Sequence, residues 1–123
     1  FSKPYNYDFS PAKGRQHYNK PIVVLCNRGS FSATNNFVSI MKQLPNVTII
    51  GDTTGGGCGL PFTSELPNGW SVRFSAAVIR DAEGNITEFG VAPDIKVDMT
   101  EADRLSGHDT ILDTAISHLL HQK

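Results

Sequence analysis

Pro21-Ile22-Val23-Val24-Leu25-Cys26-Asn27-Arg28-Gly29-Ser30-Phe31-Ser32-Ala33-Thr34 decides how this chain is read. Residues 21–26 form a continuous apolar run, which predicts a buried strand, central in its sheet and covered on both faces. Gly29 turns the chain, and a helix-like stretch starts at Ser32. Strand, tight turn and serine at a helix mouth is the arrangement by which several hydrolase folds expose a nucleophile. A helix N-terminus offers partial positive charge and unpaired N–H groups. A serine held there can attack a carbonyl while nearby backbone amides receive the oxyanion. The plainer reading of Ser32 is a serine that merely caps the helix.

Working outward, residues 32–43 read as a helix. Phe37, Ile40 and Met41 fall at i, i+3 and i+4, with Val38 and Leu44 beside them, and Pro45-Asn46 ends the stretch. Val47-Thr48-Ile49-Ile50 is a second apolar strand. Strand, helix and strand within about 30 residues form a βαβ unit, hence parallel strands and a right-handed crossover. A glycine-rich loop follows at residues 51–59. The runs 60–66, 70–77 and 78–81 read as hairpin strands around the turns Pro67-Asn68-Gly69 and Glu83-Gly84-Asn85. Ile95-Lys96-Val97 is a short last strand. Residues 109–121 are an amphipathic helix with Ile111, Leu112, Ala115, Ile116, Leu119 and Leu120 on one face and Asp109 as its N-cap. The class is α/β with a mixed sheet. Residues 1–20, polar and carrying Pro4 and Pro11, read as an extended connecting segment, and residues 21–123 as the body.

Composition narrows the function. The chain has 123 residues, 39% of them hydrophobic, and a net charge of -1. That balance gives no electrostatic case for nucleic acid or anionic membranes. No apolar run approaches the ~20 residues a membrane span needs. The chain starts at Phe1 without a signal-peptide pattern, which reads as a processed or excised segment. Cys26 and Cys58 form no disulfide framework and match no zinc spacing. Cys26 reads as a buried thiol, and Cys58, with no adjacent histidine, as an inert one. Gly55, Gly56 and Gly57 are neither a Walker loop nor a dinucleotide fingerprint. They either let backbone approach a substrate closely or make a turn. No cofactor and no metal are expected. His17, His108, His118 and His121 have no catalytic spacing and read as surface or capping residues.

Four blocks then occur in order: Gly29-Ser30-Phe31-Ser32-Ala33-Thr34, Gly51-Asp52-Thr53-Thr54-Gly55-Gly56-Gly57, Phe89-Gly90-Val91-Ala92-Pro93-Asp94-Ile95-Lys96-Val97, and Gly107-His108-Asp109-Thr110-Ile111-Leu112-Asp113-Thr114-Ala115. Each follows or contains a predicted element. Together they resemble the motifs of the C-terminal processing (tail-specific) serine proteases.

The resemblance implies a Clp protease/crotonase-like mixed sheet, of which this chain is the C-terminal part of the catalytic domain. Ser32 matches the nucleophile, and Ala33 the residue whose N–H helps hold the oxyanion. Ser30 orders the turn. Two positions depart from the tail-specific branch. Gly57 stands where that branch has its lysine base, and Asn35 where it has a glutamate. The Thr-x-Gly-Gly form of the loop is closer to the tricorn-like branch, which draws a histidine from an earlier segment and a glutamate from near the Gly-Val-x-Pro-Asp block. Glu88 is the nearest match for that glutamate, and a solvated loop carboxylate is the alternative reading. No Asp-x-Arg-x-Asn-x-Gly-Gly segment precedes residue 21. The expected function is therefore a serine endopeptidase acting on polypeptides through an acyl-enzyme on Ser32. Its base and part of its oxyanion hole lie outside this chain, supplied by an N-terminal part or another copy. The alternative is a catalytically silent relative that binds peptides or lipids. The resemblance also implies an extracytoplasmic address, periplasmic or lipid-anchored.

Overall fold

The structure, a computed structural model, describes residues 2–6 and 13–121. Strand β1 spans Ile22–Cys26, helix α1 Ala33–Met41 and strand β2 Val47–Gly51. β1 and β2 run parallel, in register from Ile22 opposite Val47 to Cys26 opposite Gly51. Further along, β3 (Pro61–Glu65) and β4 (Ser71–Ser75) form an antiparallel hairpin. A one-turn 3-10 helix covers Thr87–Phe89. β5 (Ile95–Lys96) pairs parallel to β2, so the main sheet has the order β1-β2-β5. Helices α2 (Glu101–Ser106) and α3 (Thr110–His121) close the described chain. The predicted α/β class, βαβ unit and 67–69 turn are all present.

The strand period of two sorts the core onto the two faces of the sheet. Cys26, Val38, Val47, Ile49 and Val91 pack on the α1 side, with Ile22, Val24 and Met41 against them. Ile50, Ile111 and Ala115 pack on the α3 side, with Val23, Ile95, Val97 and Met99. Ile49 and Ile50 are fully buried on opposite faces, each contributing roughly 1.5–3 kcal/mol of apolar burial.

Four expectations change. β2, not β1, is central: among the described residues β1 pairs on one side only, and its Leu25 is exposed. The buried face of α1 is Asn35, Val38 and Ser39, with Phe37 exposed. On that face Val38 joins the core and the Asn35 carboxamide finds partners, while Phe37 stays outside. The run 78–81 contributes one bridge, Arg80 to Ile86, rather than a strand. On α3 only Ile111 and Ala115 of the predicted face are buried, while Leu112, Ile116, Leu119 and Leu120 are exposed. α2 was not expected. It is started by a capping box in which Thr100 accepts from the Asp103 N–H and Asp103 accepts from the Thr100 N–H, and it is ended by Gly107 at φ 72. Residues 13–20 carry no helix or strand, and Asn46 Nδ2 donates to the carbonyls of Tyr18 and Lys20.

Candidate active site

The two parallel strands β1 and β2 end side by side, and the candidate residues leave from those ends, as ligand sites do in open α/β sheets. After Cys26 the chain turns at once. Ser30 N–H donates to the Asn27 carbonyl at 2.8 Å, Gly29 N–H to Asn27 Oδ1 at 2.8 Å, and Asn27 N–H to Ser30 Oγ at 3.2 Å. Ser30 thus orders the turn locally, as expected. Behind the turn lies Asp52, whose side chain is only 4% exposed. Arg28 Nε donates to its Oδ2 at 3.1 Å, and Lys96 Nζ stands 3.7 Å from its Oδ1. A backbone hydrogen bond from Thr53, together with the charges of Arg28 and Lys96, holds the Asp52 carboxyl below the usual range against the opposing cost of burial. Cys26, whose thiol donates to the Asp52 carbonyl, is pushed the other way, by burial first and by the Asp52 charge second. It is a packed thiol, not a reactive one.

Ser32 sits at the mouth of α1 with φ 57 and ψ -118. That is a conformation L-residues rarely adopt, and such outliers concentrate at functional sites. Its hydroxyl makes no capping bond to the helix, so the plain capping role is not the one it performs. Its backbone is pinned on both sides. Ser32 N–H donates to the Gly56 carbonyl at 2.7 Å, and its own carbonyl accepts from Asn36 N–H at 3.0 Å. Ala33 is the first residue of α1, one of the positions whose N–H has no intrahelical acceptor.

The glycine loop runs alongside. Phe31 and Gly56 form a parallel bridge, and Gly55 N–H donates to the Ser30 carbonyl at 3.0 Å. Gly57 N–H donates to the Glu88 carbonyl at 2.9 Å. The close approaches made by these glycines are to their own chain. A Cβ on Gly56 would lie 2.0 Å from the Glu88 carbonyl oxygen, and one on Gly57 would lie 2.3 Å from Cζ of the Phe31 ring. Gly57 also has φ 75. A side chain at the position that resembles the tail-specific lysine would displace the exposed Phe31 ring and sit on left-handed backbone. Glu88, on the 3-10 turn, aims elsewhere: its Oε1 accepts from Ser75 Oγ at 2.6 Å, and its Oε2 is buried without a hydrogen-bond partner.

Sequence reasoning missed the group that joins these parts. Asn35, fully buried on α1, donates through Nδ2 to Cys58 Sγ at 2.6 Å and to the Thr87 carbonyl at 3.0 Å. Its Oδ1 accepts from Thr54 Oγ1, which in turn accepts from Val91 N–H at 2.6 Å. Cys58 Sγ stands 3.5 Å from the Ser32 carbonyl. The available signal was the helical spacing of Asn35, Val38, Ser39 and Lys42, a polar face that apolar periodicity overlooks. The Pro93-Asp94 block has a structural use: Asp94 accepts the Ile49 N–H at 2.8 Å and Lys42 Nζ at 2.9 Å, tying β2 to α1. His108 stands 3.4 Å from Asp113, which is a surface pair rather than a partner of Ser32.

The profile of Peptidase family S41 matches residues 2–97. The carboxy-terminal processing protease CtpA of Bacillus subtilis is 30% identical over 95 residues, covering 76% of this chain and 20% of its own length. A crystal structure of a candidate peptidase from Parabacteroides merdae is 53% identical with a TM-score of 0.82, over 90% of this chain and 35% of that one. The tricorn protease structure is 28% identical with a TM-score of 0.66, over 83% of this chain and 10% of that one. The chain spans 15% to 22% of the length of the curated relatives it matches.

Proposed function

This chain belongs to peptidase family S41, and from that premise we propose that it carries the nucleophile of a serine endopeptidase, with Ser32 as the attacking residue. The backbone of Ser32 carries the reading: φ 57 at a strand-to-helix turn, with the hydroxyl not engaged as a cap. Ser32 Oγ attacks the scissile carbonyl of a polypeptide and loses its proton to a base. The Ala33 N–H donates to the oxyanion. Collapse breaks the C–N bond, and the base returns its proton to the leaving amine. Water then hydrolyses the acyl-enzyme by the same exchange. The base comes from outside residues 1–123 in this reading, because the position that resembles the lysine is Gly57, which has no side chain to take a proton. That choice of base fits the tricorn-like branch better than a Ser-Lys arrangement.

In this reading Gly55, Gly56 and Gly57 shape the wall along which substrate lies, while the Glu88 carboxylate ties its turn to β4 through Ser75 Oγ. An N-terminal part of the protein or a second copy completes the catalytic domain. The extracytoplasmic address implied by the family resemblance is part of the same proposal. Among the described residues no helix is long and apolar enough to cross a membrane.

Glycine at the position that resembles the lysine also favours a second reading, a catalytically silent relative that binds peptides or lipids. Hydrolysis of an unfolded polypeptide by the full-length protein separates the two. The Ser32→Ala variant is expected to lose at least about three orders of magnitude in kcat, since members of a catalytic set act as a unit. Equal turnover in both forms overturns the assignment of Ser32. Absence of turnover in the wild type, with peptide binding retained, favours the silent binder.

A further inference from the structure

Three segments that the peptidase reading needs meet at one side chain. α1 begins at Ser32 and Ala33, the loop from Thr54 to Cys58 contains the three glycines, and the 3-10 turn Thr87–Phe89 carries Glu88. Asn35, itself on α1, bonds to the other two. Its carboxamide can donate two hydrogen bonds and accept at its oxygen. One N–H goes to the Thr87 carbonyl, the other to Cys58 Sγ, and the oxygen takes the Thr54 hydroxyl. From Cys58 the chain of contacts continues to the carbonyl of Ser32 itself.

We propose that Asn35 is the positioning residue of the site, fixing the Ser32 backbone relative to the glycine loop and the Glu88 turn through Cys58, Thr54 and Thr87. The proposal rests on the peptidase reading for its catalytic consequence, though not for its geometry. A carboxamide suits this position because it must both donate and accept. An aspartate of the same size keeps the acceptor and loses both donors. The three partners sit on two segments remote from Asn35 in sequence, at separations of 19, 23 and 52 residues. Cutting this one group therefore frees all three segments together, rather than loosening a single helix turn. Cys58 acquires a use that needs no reactivity, because its sulfur relays the contact to Ser32.

The test uses the full-length protein and three variants: Asn35→Asp, Cys58→Ala and Cys58→Ser. With a polypeptide substrate, Asn35→Asp is expected to lower kcat roughly ten- to a hundredfold with KM within about twofold, since small misplacements of a nucleophile cost that much. Cys58→Ala, which cuts only the step to Ser32, is expected to lower kcat. Cys58→Ser, whose hydroxyl can still accept from Asn35 and donate to Ser32, is expected to restore most of it. A kcat unchanged in Asn35→Asp, or Cys58→Ala and Cys58→Ser behaving alike, overturns the proposal. Amide hydrogen exchange decides the geometry independently of turnover. Residues 32–36, 54–58 and 87–90 should lose protection together in Asn35→Asp, and loss confined to α1 overturns the proposal. If the wild type proves inactive, the peptidase reading fails and the exchange result alone decides the role of Asn35. If Asn35→Asp fails to fold, the comparison of Cys58→Ala with Cys58→Ser decides.

Discussion

At the scale of single residues, the backbone at Ser32 and the glycines beside it matter most. Gly56 and Gly69 both have positive φ, 77 and 83. They differ in surroundings: a Cβ on Gly56 meets the Glu88 carbonyl oxygen at 2.0 Å, whereas one on Gly69 meets nothing within 4 Å. Gly69→Ala therefore carries only the left-handed backbone cost, about 1–2 kcal/mol. Gly56→Ala carries that cost plus displacement of the turn that bears Glu88, and is expected to lose at least about twice as much stability. Urea midpoints of the two variants check this, and equal losses contradict it. The strand, turn and helix around Ser32 and Ala33 could be read from the chain because an apolar run precedes the block and a helical stretch follows it. Asn35 could not. A buried asparagine looks the same in sequence as an exposed one, and its three partners lie on segments that only the fold brings together. The contact of the Phe31 ring over Gly57 was equally hidden, since it depends on where that ring comes to rest.

At the scale of elements, the parallel βαβ unit was legible because Ile22 to Cys26 and Val47 to Ile50 are apolar runs of strand length with a helix-length spacer. α2 was not, because six residues give too few turns for a periodic signal, leaving only the Thr100 and Asp103 capping box as its mark. The phase of α1 was misjudged because Phe37 outweighs Asn35 and Ser39 in hydrophobicity. Packing instead selected the face on which Val38 meets the core and Asn35 finds hydrogen-bond partners. The ties between elements are largely carboxylates, and they make stability depend on pH. Burial pushes the Asp94 carboxyl up, but the Ile49 N–H and the Lys42 ammonium outweigh it and leave it below the usual range. Asp52 is lowered too. A folded-state value below the unfolded one means that the stabilisation is complete above the ordinary carboxylate pKa of about 4, and is lost as pH falls through the lower folded value. Asp94→Asn is therefore expected to be less stable near neutrality and to show a shallower loss of stability on acidification. Thermal midpoints between pH 7 and the acid limit measure both, and an unchanged acid slope contradicts the assignment.

At the scale of the whole molecule, the exposed apolar surface is large for a chain of this size. Phe62 and Phe74 pack with centroids 5.6 Å apart and ring planes tilted by 53° on a hairpin that is exposed along its length. Leu112, Ile116, Leu119 and Leu120 line an open face of α3. Patches of this kind on soluble proteins mark surfaces that something else covers. The residues 1–123 alone are expected to bind a hydrophobic dye such as ANS strongly, and the full-length protein only weakly. Equal dye binding by both contradicts the view that these faces are packed in the parent. The expectation of a central β1 went astray for the same reason, because an apolar strand reveals that it is covered but not which chain segment covers it. The family resemblance was legible from four short blocks in order, and the S41 match bears it out over residues 2–97.

The central claim is that Ser32 is a nucleophile, and the most direct measurement is covalent. The full-length protein is treated with a fluorophosphonate probe, digested, and the adduct located by tandem mass spectrometry. The account predicts a single adduct on the peptide containing Ser32, absent in Ser32→Ala. A folded wild-type protein that stays unlabelled, or that carries its adduct on a different serine, would contradict it.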